Sequence, residues 1–184
     1  SDYFPLNSLP RARYVQDIEG HPYISLQVPQ TVINNHDQYK IQVSWLTVPI
    51  NGKRYYMPYR MLTKDKFNRN AKEENPVIIS IKLDDTLLFN ENILKIYLIL
   101  IKSKINDMIL PLKIFPSMES DFNYDTLSPK HLIKHLQLHQ SELAFTLLFK
   151  KDQDTLLADW NSTVYSNIIS GRSNILFISY RTAD

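Results

Sequence analysis

Apolar and polar residues alternate in short runs over the first two thirds of the chain, and the period of two predicts strands. Tyr23-Ile24-Ser25-Leu26-Gln27-Val28 is the first such run, and Tyr39 to Val48 the second, with Tyr39, Ile41, Val43 and Trp45 on one face. Between them Asn34-Asn35-His36-Asp37 reads as a turn. Pro5, Pro10, Pro22 and Pro29 punctuate the stretch from Tyr3 to Pro29 and exclude long helices there. Ile50-Asn51-Gly52-Lys53 supplies a tight Asn-Gly turn, and a basic, irregular stretch follows as far as Asn75. Val77 to Leu83 and Leu94 to Lys102, both β-branched and aliphatic, are expected to pair across a turn at Asn90-Glu91-Asn92. Ile109 to Phe115 predicts a short strand bounded by Pro111 and Pro116, and Glu119 to Asp125 an acidic loop.

The last third carries helical signals. Ser128-Pro129 is an N-cap with proline at the first helical position, so a helix is expected to run to about Gln140 with Leu132, Ile133 and Leu136 buried. Leu143 to Lys151 fits a helix or a strand. Thr155 to Ile169 reads as a helix with Trp160 and Val164 inward, ended by Gly171-Arg172-Ser173. Asn174 to Tyr180 closes as a strand. Strands first and helices later predict an α+β fold, mainly β, built on an antiparallel β-sandwich with two or three helices in the C-terminal third. The 184 residues suit one domain. It divides into a proline-rich segment 1–35, core strands 39–116, a helical part 128–169 and a closing strand 174–180.

Composition narrows the chemistry. With 43% hydrophobic and 22% charged residues the chain is of ordinary globular type, and its longest apolar run, Ile96 to Ile101, is too short to cross a bilayer. No signal-peptide pattern opens it, so a soluble intracellular protein is expected. The absence of cysteine excludes disulfides, thiolate metal sites and cysteine nucleophiles. Gly20, Gly52 and Gly171 are the only glycines, too dispersed for a phosphate-binding loop. No cofactor and no small-molecule ligand are expected. Asn161-Ser162-Thr163 has the form of a glycosylation sequon, a triplet that arises often by chance.

His131, His135 and His139 recur every four residues, a spacing that can chelate zinc on a helix. The general-base glutamate of a metalloprotease is missing, and Lys134 stands beside the site. A metal-dependent hydrolase is the weakest of three functional classes. Asp84-Asp85 and Glu73-Glu74 read as turn residues. Charge points elsewhere: between Asn51 and Lys72 lie Lys53, Arg54, Arg60, Lys64, Lys66, Arg69 and Lys72 against Asp65, a formal +6 in a chain of net +2. Tyr55, Tyr56, Tyr59 and Phe67 are interleaved. Cations beside aromatic rings suit phosphate or an acidic protein surface, unless the tyrosines pack back on the core.

The middle of the chain, Tyr39 to Ser166, resembles the PINIT domain of Siz/PIAS-type SUMO ligases. Ile50-Asn51-Gly52-Lys53 with Pro58 is similar to the family's Val-Asn-Gly-Lys-like turn. Pro76-Val77-Ile78-Ile79-Ser80 is similar to its Pro-Ile-Asn-Ile-Thr signature, with Ile78 in place of the asparagine. Ile96-Tyr97-Leu98-Ile99 looks like the following hairpin, and Ser128-Pro129-Lys130-His131-Leu132-Ile133 like a helix start of fungal members. The resemblance implies a non-catalytic arm of a nuclear SUMO-ligase-type protein that selects a protein substrate. The zinc-binding RING of these ligases needs cysteines that this chain lacks. The competing class is a chromosomal scaffold of similar fold that binds DNA or a structural protein without ligase activity. Lys53, Arg54, Tyr55, Tyr56, Tyr59, Arg60, Lys64, Lys66, Arg69 and Lys72 form the expected contact surface in either case, with no membrane partner.

Overall fold

A computed structural model describes residues 14–17, 19–63, 75–81, 87–88, 92–101, 108–124, 126–152, 154–170 and 175–176. They form a mostly β structure of antiparallel sheets, one of them curled into a half-barrel. The strands are β1 (Gln16–Asp17), β2 (Ile24–Gln27), β3 (Tyr39–Thr47), β4 (Arg54–Tyr55), β5 (Arg60–Thr63), β6 (Val77–Ser80), β7 (Leu87–Leu88) and β8 (Ile93–Ile96). They continue with β9 (Leu98–Ile101), β10 (Leu112–Phe115), β11 (Ser120–Asp121), β12 (Gln140–Lys150), β13 (Leu156–Tyr165), β14 (Ile169–Ser170) and β15 (Ile175–Leu176). Among the described residues, two short helices, α1 (Gln30–Asn34) and α2 (Pro129–His135), complete the regular elements apart from single 3₁₀ turns.

The largest sheet has the order β13-β12-β3-β6, with β14 also on β12. Its centre is the long antiparallel pair β3–β12, in register from Thr47 opposite Ser141 to Tyr39 opposite Phe149. Alternation sends Ile41, Val43 and Trp45 of β3 and Leu143 and Phe145 of β12 to one face, where Val77 of β6 joins them in the main core. Trp45 is wholly buried and packs against Tyr59 with ring centroids 5.5 Å apart. The smaller sheets are β2-β8-β7, β11-β10-β4 and β5-β9, and β1 pairs with β15 in parallel.

Several expectations are corrected. Val77–Ser80 pairs with β3, whereas Ile93–Ile96 pairs with β2 and β7 and Leu98–Ile101 with β5, so the two aliphatic runs are not partners. Local adjacency is overridden by pairing with distant strands: Val77 is buried against β3, and Leu94 and Ile96 are buried in the pairing with β2. Thr155 to Ile169 is not helical: Leu156–Tyr165 is a strand against β12. Its β-branched Thr163 and Val164 suit a pleated surface better than a helix. The ambiguous Leu143 to Lys151 is also strand, and Ser141 to Thr146 are buried without interruption. Burial on both faces of the sheet erases the period of two in such a run. The helix begins as expected, with the Ser128 hydroxyl accepting from the His131 N–H, but ends at His135, five residues short. Gln137 has φ +48°, and β12 begins at Gln140. Asn34 to Asp37 is the end of α1 and the start of a 3₁₀ turn at His36–Gln38, where a plain turn was expected.

Candidate binding cleft

The Asn51-Gly52 turn is a two-residue hairpin, closed by hydrogen bonds between Ile50 and Lys53 in both directions at 2.8 and 3.0 Å. Asn51 (φ 51°) and Gly52 (φ 78°) both occupy the left-handed region, as a type I′ turn requires. The turn delivers Lys53 to solvent and Arg54 to the outer face of the large sheet. Alternation along β12 puts Glu142, Ala144 and Thr146 on that outer face. There the Arg54 Nε donates to the buried Glu142 carboxylate, and the guanidinium carbon lies 4.3 Å from the centroid of the Tyr165 ring. A small second cluster of Leu46, Tyr56 and Ala144, flanked by Phe115 and Tyr165, supports this pair.

The tyrosines of the basic segment do not offer stacking faces. Tyr55, Tyr56 and Tyr59 are 2%, 4% and 6% exposed. Tyr55 donates to Asp121 at 3.0 Å and packs edge-on against Tyr124. The Tyr56 hydroxyl is buried facing Ser44 and Gln42, without a hydrogen bond of good geometry. Burial pushes all three phenols above their ordinary range; at Tyr55 the adjacent Tyr124 and Asp121 add to it. Lys53 and Arg60 are exposed. Lys64, Lys66, Arg69 and Lys72, with Phe67, lie outside the described residues, as do Glu73-Glu74 and Asp84-Asp85. Of the expected surface, the described residues show Lys53 and Arg60 exposed and Tyr55, Tyr56 and Tyr59 turned inward to the core.

The exposed rings come from elsewhere. Between Phe145 and Leu147 the β12–β13 register shifts: Phe145 faces Val164 and Leu147 faces Asp159, so Trp160 to Thr163 stand opposite the single residue Thr146. This is an enlarged β-bulge of four residues against one, closed by its own side chains. The Ser162 hydroxyl accepts from the Leu147 N–H at 2.9 Å and donates to the Asp159 carbonyl at 2.6 Å. Thr146 and Thr163 share a hydrogen bond of 2.9 Å. The Asn161-Ser162-Thr163 triplet is thus the seam of the bulge. Bulges re-aim side chains, and this one leaves Trp160 41% exposed, edge-on to Phe115 with centroids 5.6 Å apart. Phe115 meets Tyr165 at 6.4 Å. A surface cleft of about 230 Å³ opens here, lined by Gly52, Arg54, Phe115, Pro116, Trp160, Thr163 and Tyr165.

Among the described residues, the histidine helix forms no metal centre. His131 is engaged by the Ser128 hydroxyl at 2.9 Å, His135 packs on Tyr124, and His139 lies beyond the end of α2. Asp17, Glu19 and His21 are grouped closely enough to share an ion. Asp17 already accepts from the Glu19 and His21 N–H groups and meets His21 Nδ1 at 2.8 Å, while His21 stacks on Tyr23. Burial works to raise the Asp17 carboxyl, but the His21 hydrogen bonds outweigh it and hold the group below its usual range. The cluster is a turn locked by its own bonds.

Of the cleft's residues, only Arg54 was legible as a site residue in the sequence. Glu142, Phe115 and the Thr163–Tyr165 stretch gather from three separate strands, and Trp160 was expected to face inward. The interruption of alternation by Asn161-Ser162-Thr163 is the local signal of the bulge. No family model, curated protein or solved structure matches the chain.

Proposed function

We propose that this chain is a non-catalytic recognition domain that holds a protein partner, in the manner of the substrate-selecting PINIT arm of a SUMO-ligase-type nuclear protein. The observation that carries the reading is the cleft itself: Arg54 fixed between Glu142 and Tyr165, with Trp160 raised beside it by a closed bulge. Aromatic and arginine side chains on a rigid sheet are the residue types that dominate protein interfaces. The PINIT-like order of motifs supports the family part of the reading. Asn51-Gly52 closes a hairpin, and Pro76 leads directly into β6, at the end of the strand pair with β3. The sheets would then stack as the sandwich of that fold. A recognition arm contributes proximity and orientation, and needs no proton-transfer group.

The test is a SUMO-conjugation reaction supplemented with a separate RING fragment, in which this chain recruits the target. Trp160→Ala and the double reversal Lys53→Glu/Arg60→Glu are each expected to reduce target modification at least tenfold. Unchanged target choice and yield in both would overturn the reading. The chromosomal-scaffold alternative predicts binding to DNA that weakens steeply between about 50 and 200 mM salt, the signature of counterion release.

A further inference from the structure

The cleft's chemistry selects among partners, and this step rests on the recognition reading above. Its hydrogen-bonding groups are unequal. The Trp160 indole N–H and the Tyr165 hydroxyl have no hydrogen-bond partner among the described residues, and the Arg54 Nη groups have none beyond the ion pair made through Nε. No carboxylate is among the lining residues, Glu142 beside them is engaged by Arg54, and the Thr163 hydroxyl is hydrogen-bonded to Thr146. The cleft therefore offers donors and aromatic faces and has no free carboxylate. Its volume of about 230 Å³ is below the roughly 300–1,000 Å³ usual for drug-sized ligands. It exceeds the roughly 150 Å³ of an engineered cavity that accepts benzene, so one ring and its adjoining backbone are the right scale.

A segment rich in proline answers each of these features. Proline brings a compact apolar ring, carbonyl acceptors and no backbone N–H, and its polyproline II backbone is already ordered before binding. Charge weighs against a nucleic acid base. Arg54 is neutralised by Glu142, and Asp121 lies close enough to Lys53 to feel its charge. Among the residues lining the cleft no unpaired cation remains to follow a phosphate backbone. We infer that the cleft between Trp160, Phe115, Tyr165 and Arg54 docks a proline of an extended, proline-rich peptide, with the Trp160 N–H and Tyr165 hydroxyl donating to its carbonyls.

The experiment titrates the full chain with a peptide of six prolines flanked by leucines, and follows tryptophan emission and fluorescence anisotropy of a labelled copy. Trp45 is wholly buried and Trp160 is exposed, so a change in emission reports on the cleft. The expected result is saturable binding with altered emission, weakened at least tenfold in Trp160→Ala, less in Trp160→Phe, and lost when glycine replaces the prolines. Equal binding of the glycine peptide, absence of binding by the wild-type chain, or unchanged affinity in Trp160→Ala overturns the inference. Preferential binding of oligothymidylate at the same site, weakening with salt, does so too. Failure here with target recruitment still dependent on Trp160 would leave the recognition reading standing and reject only the proline ligand.

Discussion

The side chain of Asn75 acts as a piece of strand. Its Nδ2 donates to the carbonyls of Trp45 and Met57 at 2.8 and 3.0 Å, and its Oδ1 accepts the Trp45 N–H at 2.9 Å. It therefore satisfies both backbone groups of Trp45 just beyond the point where β6 stops pairing with β3 at Val43. Asn75→Ala removes three bonds at once and is expected to lower stability by about 2–3 kcal/mol, at about 1 kcal/mol each, with urea denaturation as the measurement. Asn75→Asp keeps the acceptor and loses both donations, so it is expected to rescue little. A second residue-scale prediction concerns Arg54 and Glu142. Glu142 is buried while Arg54 reaches solvent, so the two truncations are unequal. Arg54→Ala strands a buried carboxylate and is expected to cost about 3 kcal/mol. Glu142→Ala leaves an arginine that can turn to water, and is expected to cost less. Equal losses in a denaturation series would refute this asymmetry.

Among the elements, β6 gives the plainest test of register. Val77 is buried against β3, and its neighbour Ile78 is 45% exposed on the opposite face. Val77→Ala is expected to cost about 2 kcal/mol and Ile78→Ala less than about 0.5 kcal/mol; reversed magnitudes would mean that the strand sits one residue out of register. The same exposure lets an apolar residue stand at position 78 without entering the core. Legibility in the sequence divided at this scale. Strands with one wet face, such as Ile24–Gln27 and the first half of Tyr39–Thr47, showed their period of two. Ser141 to Thr146, buried on both faces, had no period to show, and Leu156–Tyr165 lost its period to the bulge. Pairing partners were the least legible feature. Which aliphatic run lies beside which is decided by the whole core, not by the nearest turn.

At the scale of the whole molecule, titration bounds the range of stability from both sides. The Asp121 carboxylate accepts the Asn123 N–H and the Tyr55 hydroxyl, and these bonds, with Lys53 nearby, hold it below its ordinary value of 3.8. A depressed carboxyl favours the folded state fully above pH 3.8 and loses that contribution as the pH falls through the lower folded value. Tyr55, Tyr56, Tyr59 and Tyr165 are displaced the other way, chiefly by burial. Their contribution is complete below pH 10.0 and is lost as the pH rises above it, because the unfolded chain ionises them first. Thermal unfolding followed across pH is expected to show a plateau between these limits. Phenolate absorbance at alkaline pH is expected to appear in two phases, the later coinciding with unfolding. Asp121→Asn is expected to flatten the acid limb.

The walls of the cleft come from residues 52–54, 115–116 and 160–165, stretches that meet only when the hairpin, β10 and the β12–β13 pair are all in place. The unfolded chain has nothing equivalent to offer a ligand. Occupancy and folding are therefore thermodynamically linked: a ligand at a hundred times its dissociation constant would add about 2.7 kcal/mol to native stability. Melting temperature becomes a screen for occupants, since any peptide that fills the cleft must raise it. It also means that the amount of intact protein in a cell would follow the abundance of whatever it holds.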